Sequence, residues 1–183
     1  MARLPVKISK TIFIGLLWTL LANSFSFGQN KAASEYQVKA VFLYNFTQFI
    51  EWPQSAFNSA DDPFIIGIIG DDPFSSYLDE AIAGEKVGTH PLVIKRFNEV
   101  REISECHMLY INSDDLDWVR RVLSYVSHKN ILTVSEVPDF NRYGGIIRFF
   151  TEDKRIRLQI NVEKSKDAQL NISSKLLSVA KTN

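Results

Sequence analysis

Four short apolar runs alternate with segments of helical period, and this alternation narrows the fold more than any other feature of the chain. Pro63–Gly70 holds Phe64, Ile65, Ile66, Ile68 and Ile69 between a proline and a glycine, the pattern of a strand buried on both faces. Leu92–Phe97, Cys106–Asn112 and Asn130–Ser135 are the next three strands. After the first run, Asp72-Pro73 offers an N-cap with proline at the first helical position, and the helix it opens ends near Gly84. After the third run, Ser113 or Asp114 caps a helix whose stripe is Leu116, Val119, Val122, Leu123 and Val126. The pattern then changes. Pro138–Gly145 is a polar, glycine-ended loop, and Ile146–Phe150 and Arg155–Val162 form a hairpin joined by Glu152-Asp153-Lys154. Ile156, Leu158, Ile160 and Val162 alternate with Arg155, Arg157, Gln159 and Asn161 along its second strand. Two short helices come next, at about Glu163–Gln169 and Ser174–Lys181. The expected fold is one α/β domain. It has a mixed, mostly parallel sheet of about six strands, helices on both faces and an antiparallel C-terminal hairpin.

The N-terminus sets the compartment. Arg3, Lys7 and Lys10 precede the apolar stretch Thr11–Ala22, and small residues Ser24, Ser26 and Gly28 come after it. This is the pattern of a secretory signal peptide over residues 1–28, cut after Gly28 or Ser26, with the domain over 29–183. The apolar stretch falls short of the roughly 20 residues that span a bilayer. The first 28 residues carry three cations and no acid, so 18 basic side chains in the remainder face 21 acidic ones. A mildly acidic domain without a basic cluster excludes a nucleic-acid surface.

The first long helix of the domain is apolar nearly all round. Ser34 and Gln37 form a capping box, the helix runs to about Glu51, and Pro53 ends it. Its apolar side chains, from Tyr36 to Trp52, leave only the strip of Gln37, Gln48 and Glu51 consistently polar. Such a helix is covered on nearly every side or shows an apolar patch. Phe42, Tyr44, Phe46, Phe49 and Trp52 are therefore candidate partner-binding residues, as aromatic anchors dominate interface energies. Arg142 and Arg148, beside Tyr143, Gly144 and Gly145, are the polar candidates, since guanidinium forks suit carboxylates.

Catalytic chemistry finds little footing. The turn Gly67-Ile68-Ile69-Gly70-Asp71-Asp72 lacks the spacing of a phosphate loop, and its two aspartates repel phosphate. With Asp114-Asp115 it offers, at most, a cation site. His90, His107 and His128 are scattered and have no partners at metal-ligand spacing. Cys106 is the only cysteine, so no disulfide forms within one chain; it is either a buried strand residue or a redox thiol able to bridge chains. Neither a catalytic residue nor a cofactor is expected, and the chain is read as a non-enzyme.

Several blocks together resemble the YfiR family of periplasmic regulators. These are Glu35–Phe46 ending in Phe49-Ile50-Glu51-Trp52-Pro53, then Ile66–Phe74, Cys106–Ile111, Ile131–Ser135, Gly144–Phe150 through Ile160-Asn161, and Ile172–Leu177. The resemblance implies a periplasmic, non-catalytic protein that holds an inner-membrane diguanylate cyclase or sensor kinase inactive by binding its periplasmic part. It implies release by an outer-membrane-associated lipoprotein, and so control of cyclic di-GMP and biofilm formation. A homodimer is a further expected assembly. Cys106 occupies the family's cysteine position, but the second cysteine of the redox-responsive members is absent. A periplasmic small-ligand or metal-binding domain, built on the Asp71/Asp72 turn or the aromatic helix, remains the alternative.

Overall fold

The computed structural model describes residues 26–182 except Ser104. The signal-peptide reading of residues 1–28 therefore falls mostly outside the described residues. Residues up to Glu35 and residues from Tyr36 onward are two separate compact units. The described part of the first is helical, and every strand among the described residues belongs to the second. Helix α1 is assigned over Ser26–Phe49 and passes through Ser34 without a break. The capping box expected at Ser34 is thus not a helix start, because helical backbone already precedes it.

The elements after α1 are β1 (Ile50–Glu51), β2 (Phe64–Gly70), α2 (Tyr77–Ile82), β3 (Lys86–Val87), β4 (His90–Phe97) and β5 (Met108–Asn112). Then come α3 (Leu116–Val126), β6 (Leu132–Ser135), β7 (Ile147–Glu152), β8 (Arg155–Ile160), α4 (Val162–Asp167), β9 (Asn171–Ile172), α5 (Ser174–Ser178) and β10 (Lys181–Thr182). The main sheet has eight strands in the order β10-β8-β7-β6-β5-β2-β4-β3, and β1 pairs separately with β9. Strands β4, β2, β5, β6 and β7 are mutually parallel. Strand β8 returns antiparallel to β7 through Asp153 and Lys154, both left-handed at φ 51° and 60°, as a two-residue hairpin turn requires. The mostly parallel sheet with its C-terminal hairpin is as expected. The expected count of about six strands is too low, because β3 and β10 are two-residue edge strands with no apolar signal of their own.

Alternation along the strands separates two cores. Phe64, Ile66 and Ile68 of β2, Met108 and Tyr110 of β5, and Ile147 and Phe149 of β7 pack with α1, α2 and the C-terminal elements. Ile69, Leu109 and Ile111 face the other way, against Val119, Val122, Leu123 and Val126 of α3. Helices thus cover both faces, as a sheet apolar on both sides demands.

Local caps differ from their sequence reading by a few residues. Asp72 accepts a hydrogen bond from the Phe74 amide (2.8 Å), but α2 begins only at Tyr77, because Ser75 takes a left-handed φ of 51°. Asp115, not Ser113 or Asp114, caps α3, accepting from the amides of Asp117 and Trp118 (3.0 Å each). Strand order reverses between β2 and β5, the place where ligands usually enter such sheets. Here the crevice is stapled. The Asp71 amide donates to the Asn112 carbonyl (3.1 Å) and the Asn112 side chain returns a bond to the Asp71 carbonyl (3.1 Å). Gly70 makes this approach feasible: its φ is +88°, and a Cβ there would lie 1.8 Å from the Asn112 oxygen.

Candidate partner-binding surface

The five aromatics of the first helical segment do not share one surface. Phe46 is fully buried and stacks on Phe149 with centroids 5.8 Å apart. Phe42 is half-buried against the same ring at 5.9 Å. Tyr44 is half-buried and donates to Glu85 (2.7 Å). Trp52 packs edge-on to Phe64 (4.7 Å), and its indole N–H donates to the His107 carbonyl (2.9 Å). Phe49 alone of the five is exposed, at 36%. It shares one side of α1 with Val38 (45%) and Val41 (49%), since residues three and eleven apart project within about 80° of one another. The outer side of α1 thus carries three exposed apolar side chains beside the polar Gln37 and Gln48, where a helix covering a sheet is normally polar throughout.

Beneath α1 lies a polar cluster that sequence reasoning missed. Lys39 is 2% exposed and forms an ion pair with Glu136, which comes directly after β6. The Tyr110 hydroxyl, on β5, donates to the other Glu136 oxygen (2.5 Å). Burial and the Glu136 charge both raise the Tyr110 pKa, so it is a hydroxyl donor at any physiological pH. The one available signal was a lysine set among apolar residues on the α1 pattern.

Arg142 and Arg148 have different settings. Arg142 is exposed beside Asp139 (3.4 Å), whereas Tyr143 lies under Arg120 (4.4 Å). Arg148 stands on β7, on the face away from α1, with its guanidinium above Phe150 (5.7 Å). The acidic turn is also engaged: Asp72 and Asp79 both accept from Arg96, at 2.7 and 2.9 Å. Among the described residues no group of three or more His, Cys, Asp or Glu is placed to hold a metal ion.

Cys106 and His107 point to opposite faces, as neighbours entering a strand must. Cys106 is buried beneath α3, its Sγ donating to the Met108 carbonyl at 2.7 Å. Burial pushes its thiol up to about 12, which disfavours the thiolate that redox exchange requires. A maleimide reagent at neutral pH is expected to leave Cys106 unmodified in the native chain and to label it fully in denaturant. Mass spectrometry reads both states, and native labelling would restore the redox thiol.

His107 lies in a stack of rings, 4.5 Å from Phe57 and 4.9 Å from Phe64. Its Nδ1 accepts from the Ile65 amide (3.0 Å), so Nε2 carries the proton toward the Ala56 carbonyl (3.0 Å). Burial, the largest influence, lowers its pKa from 6.5. Below pH 6.5 the unfolded chain takes the proton first, so this group's stabilisation is complete above 6.5 and drains away as pH falls toward the lowered folded value. The expected result is a melting temperature that drops from pH 7 to 5 by more in the native chain than in His107→Gln.

Among the described residues, no helix is long and apolar enough to cross a membrane. None of the curated proteins compared matches the chain. A solved conserved domain protein from Vibrio cholerae O1 biovar El Tor is similar at 11% identity with a TM-score of 0.47, over 64% of this chain and 54% of that one. The chain thus spans about half the length of that protein. A family model described as YfiR/HmsC-like matches residues 36–181, from within α1 to the last strand. With a match of that extent, this chain belongs to the YfiR/HmsC-like family, whose members are periplasmic, non-catalytic regulators of cyclic di-GMP signalling.

Proposed function

We propose that the protein binds the periplasmic part of an inner-membrane signalling protein, a diguanylate cyclase or a sensor kinase, and holds it inactive. The observation that carries this reading is the group of exposed apolar side chains Val38, Val41 and Phe49 on the outer side of α1, flanked there by the exposed Gln37 and Gln48. Burying side chains of that size contributes roughly 1.5–3 kcal/mol each when a partner covers them fully, enough for the centre of an interface. Phe42, Tyr44, Trp52, Arg142 and Arg148 stay proposed partner-contact residues, although Phe42 and Trp52 pack largely into the core and Arg148 belongs to a separate face, away from α1. A cleaved signal peptide over residues 1–28 delivers the chain to the periplasm. An outer-membrane-associated lipoprotein that competes for the same stripe relieves the inhibition. A homodimer is a further proposed assembly.

Deletion of the gene is expected to raise cyclic di-GMP and biofilm, or the output of the kinase. The charged variant Val41→Glu/Phe49→Glu, secreted at the native level, is expected to fail to reverse that rise. Unchanged second-messenger levels and kinase output in the deletion strain would sink the reading. A small-ligand reading finds its best support not at the Asp71/Asp72 turn or the aromatic helix but in a cavity of about 550 Å³ whose lining includes Arg120, Thr133, Tyr143 and Lys164. Its volume suits a small metabolite. A saturating metabolite that raises the melting temperature of the native chain, but not of Tyr143→Ala, would favour it.

A further inference from the structure

The hairpin has one covered face and one open one. Ile147, Phe149, Leu158 and Ile160 point into the core beneath α1, whereas no residue of β7 or β8 joins the cluster beneath α3. The register places Arg148, Phe150 and Glu152 of β7 and Arg155 and Arg157 of β8 on that second face. Lys181 of β10 joins them, because it pairs with Gln159 of β8. Four cations thus surround one carboxylate on three neighbouring strands. Glu152 is taken by Lys181 (2.6 Å) and, more distantly, by Arg157 (3.8 Å). Among the described residues, Arg148 and Arg155 have no carboxylate within 4.0 Å, and the buried Nε–H of Arg148 has no hydrogen-bond acceptor. Phe150 forms an apolar floor between Arg148 (5.7 Å) and Lys181 (5.0 Å).

We infer that this open β7–β8–β10 face docks an extended, carboxylate-rich segment of the protein's partner. The inference rests on the regulator reading and adds a second, chemically distinct contact to it. Three considerations favour that occupant. Arginines held on strands present guanidinium forks at fixed positions, and such forks select planar carboxylates. Arg155 and Arg157 are two residues apart on one strand, a spacing of about 7 Å that alternate residues of an extended acidic segment reproduce. The chain beyond residue 28 is acidic overall, 18 basic against 21 acidic side chains, so its body is repelled by an anionic bilayer while this one face attracts carboxylates. Arg148, whose guanidinium lies over Phe150 with no carboxylate partner among the described residues, is the expected centre of the contact.

The test titrates isotope-labelled protein with a peptide of about ten residues alternating Glu and Thr, and with its Gln-Thr analogue. Phosphatidylcholine vesicles containing about one-third phosphatidylglycerol form a third arm. The expected result is amide shift changes confined to β7, β8 and β10, with the acidic peptide about tenfold tighter than the neutral one and weakened by added salt. Arg155→Glu/Arg157→Glu is expected to abolish the preference without lowering the melting temperature; Arg155→Gln/Arg157→Gln serves if the reversal disturbs folding. Equal affinity for both peptides, shift changes elsewhere, or vesicle binding without peptide binding each overturns the inference. The regulator reading is scored separately. If gene deletion raises the signal but the charge-reversed variant represses fully, the acidic contact fails and the regulator stands.

Discussion

Phe46→Ala is expected to lower the unfolding free energy by about 3–5 kcal/mol, the cost of deleting a large buried aromatic. The ring is fully buried and lies between α1 and the sheet, stacked on Phe149 at 5.8 Å and beside Phe42 at 6.3 Å. Its removal takes away one of the two ring contacts, with that of Phe42, that hold the C-terminal part of α1 to β7, and the stiff β-strand beneath cannot move to fill the space. Domains of this size hold only about 5–15 kcal/mol in total, so a substantial fraction of the margin goes with one side chain. Urea unfolding followed by circular dichroism measures it, as a lower midpoint at unchanged slope. The matched control is Phe49→Ala, three residues on and 36% exposed, for which a change of about 0.5 kcal/mol or less is expected. The same pair separates packing from binding. Phe46→Ala weakens the fold, whereas Phe49→Ala leaves the fold intact and weakens the proposed partner contact.

Glu136→Leu is expected to cost about 2–4 kcal/mol, toward the lower part of the range for breaking a buried ion pair because Glu136 itself is 27% exposed. Its carboxylate serves two groups at once, the ammonium of the buried Lys39 and the hydroxyl of Tyr110. Leucine fills the volume but supplies neither acceptor, so the buried ammonium loses the Glu136 carboxylate and a buried hydroxyl loses its bond. The double variant Lys39→Met/Glu136→Leu is expected to recover at least half of the loss, since removing both charges also removes their desolvation cost. A double-mutant cycle from urea unfolding yields the coupling. Additive losses would show that the pair contributes nothing. The cluster joins α1 to the middle of β5 and the end of β6, so it sets the position of the helix that carries the exposed stripe. A loss of repression in Glu136→Leu at temperatures where the chain is folded is the functional counterpart.

The chain wrote some of this plainly and some not at all. The apolar runs of β2, β5 and β6 and the stripe of α3 were legible because buried parallel strands and a helix lying on one core each leave a strong period in sequence, whereas β4, of which only Leu92 is buried, left a weaker one. Cys106 and His107 could be assigned to opposite faces from strand geometry alone. The caps were less legible. Ser34, Asp72 and Asp114 all have the right chemistry, but cap formation depends on where neighbouring backbone already is, and in each case that backbone moved the helix start. Lys39 was overlooked as a site because a helical pattern shows which side a residue is on, not that a glutamate nearly a hundred positions later waits there.

What the sequence determined by itself is the class of fold and the number of its principal layers, since hydrophobic period is a local property that the chain carries whether folded or not. The tertiary structure alone decided which aromatics are core and which are surface, because α1 is apolar all round and only the sheet beneath it selects the side that is covered. It alone decided, too, that four cations scattered from Arg148 to Lys181 share one open face, because strand pairing, and not sequence distance, brings them together.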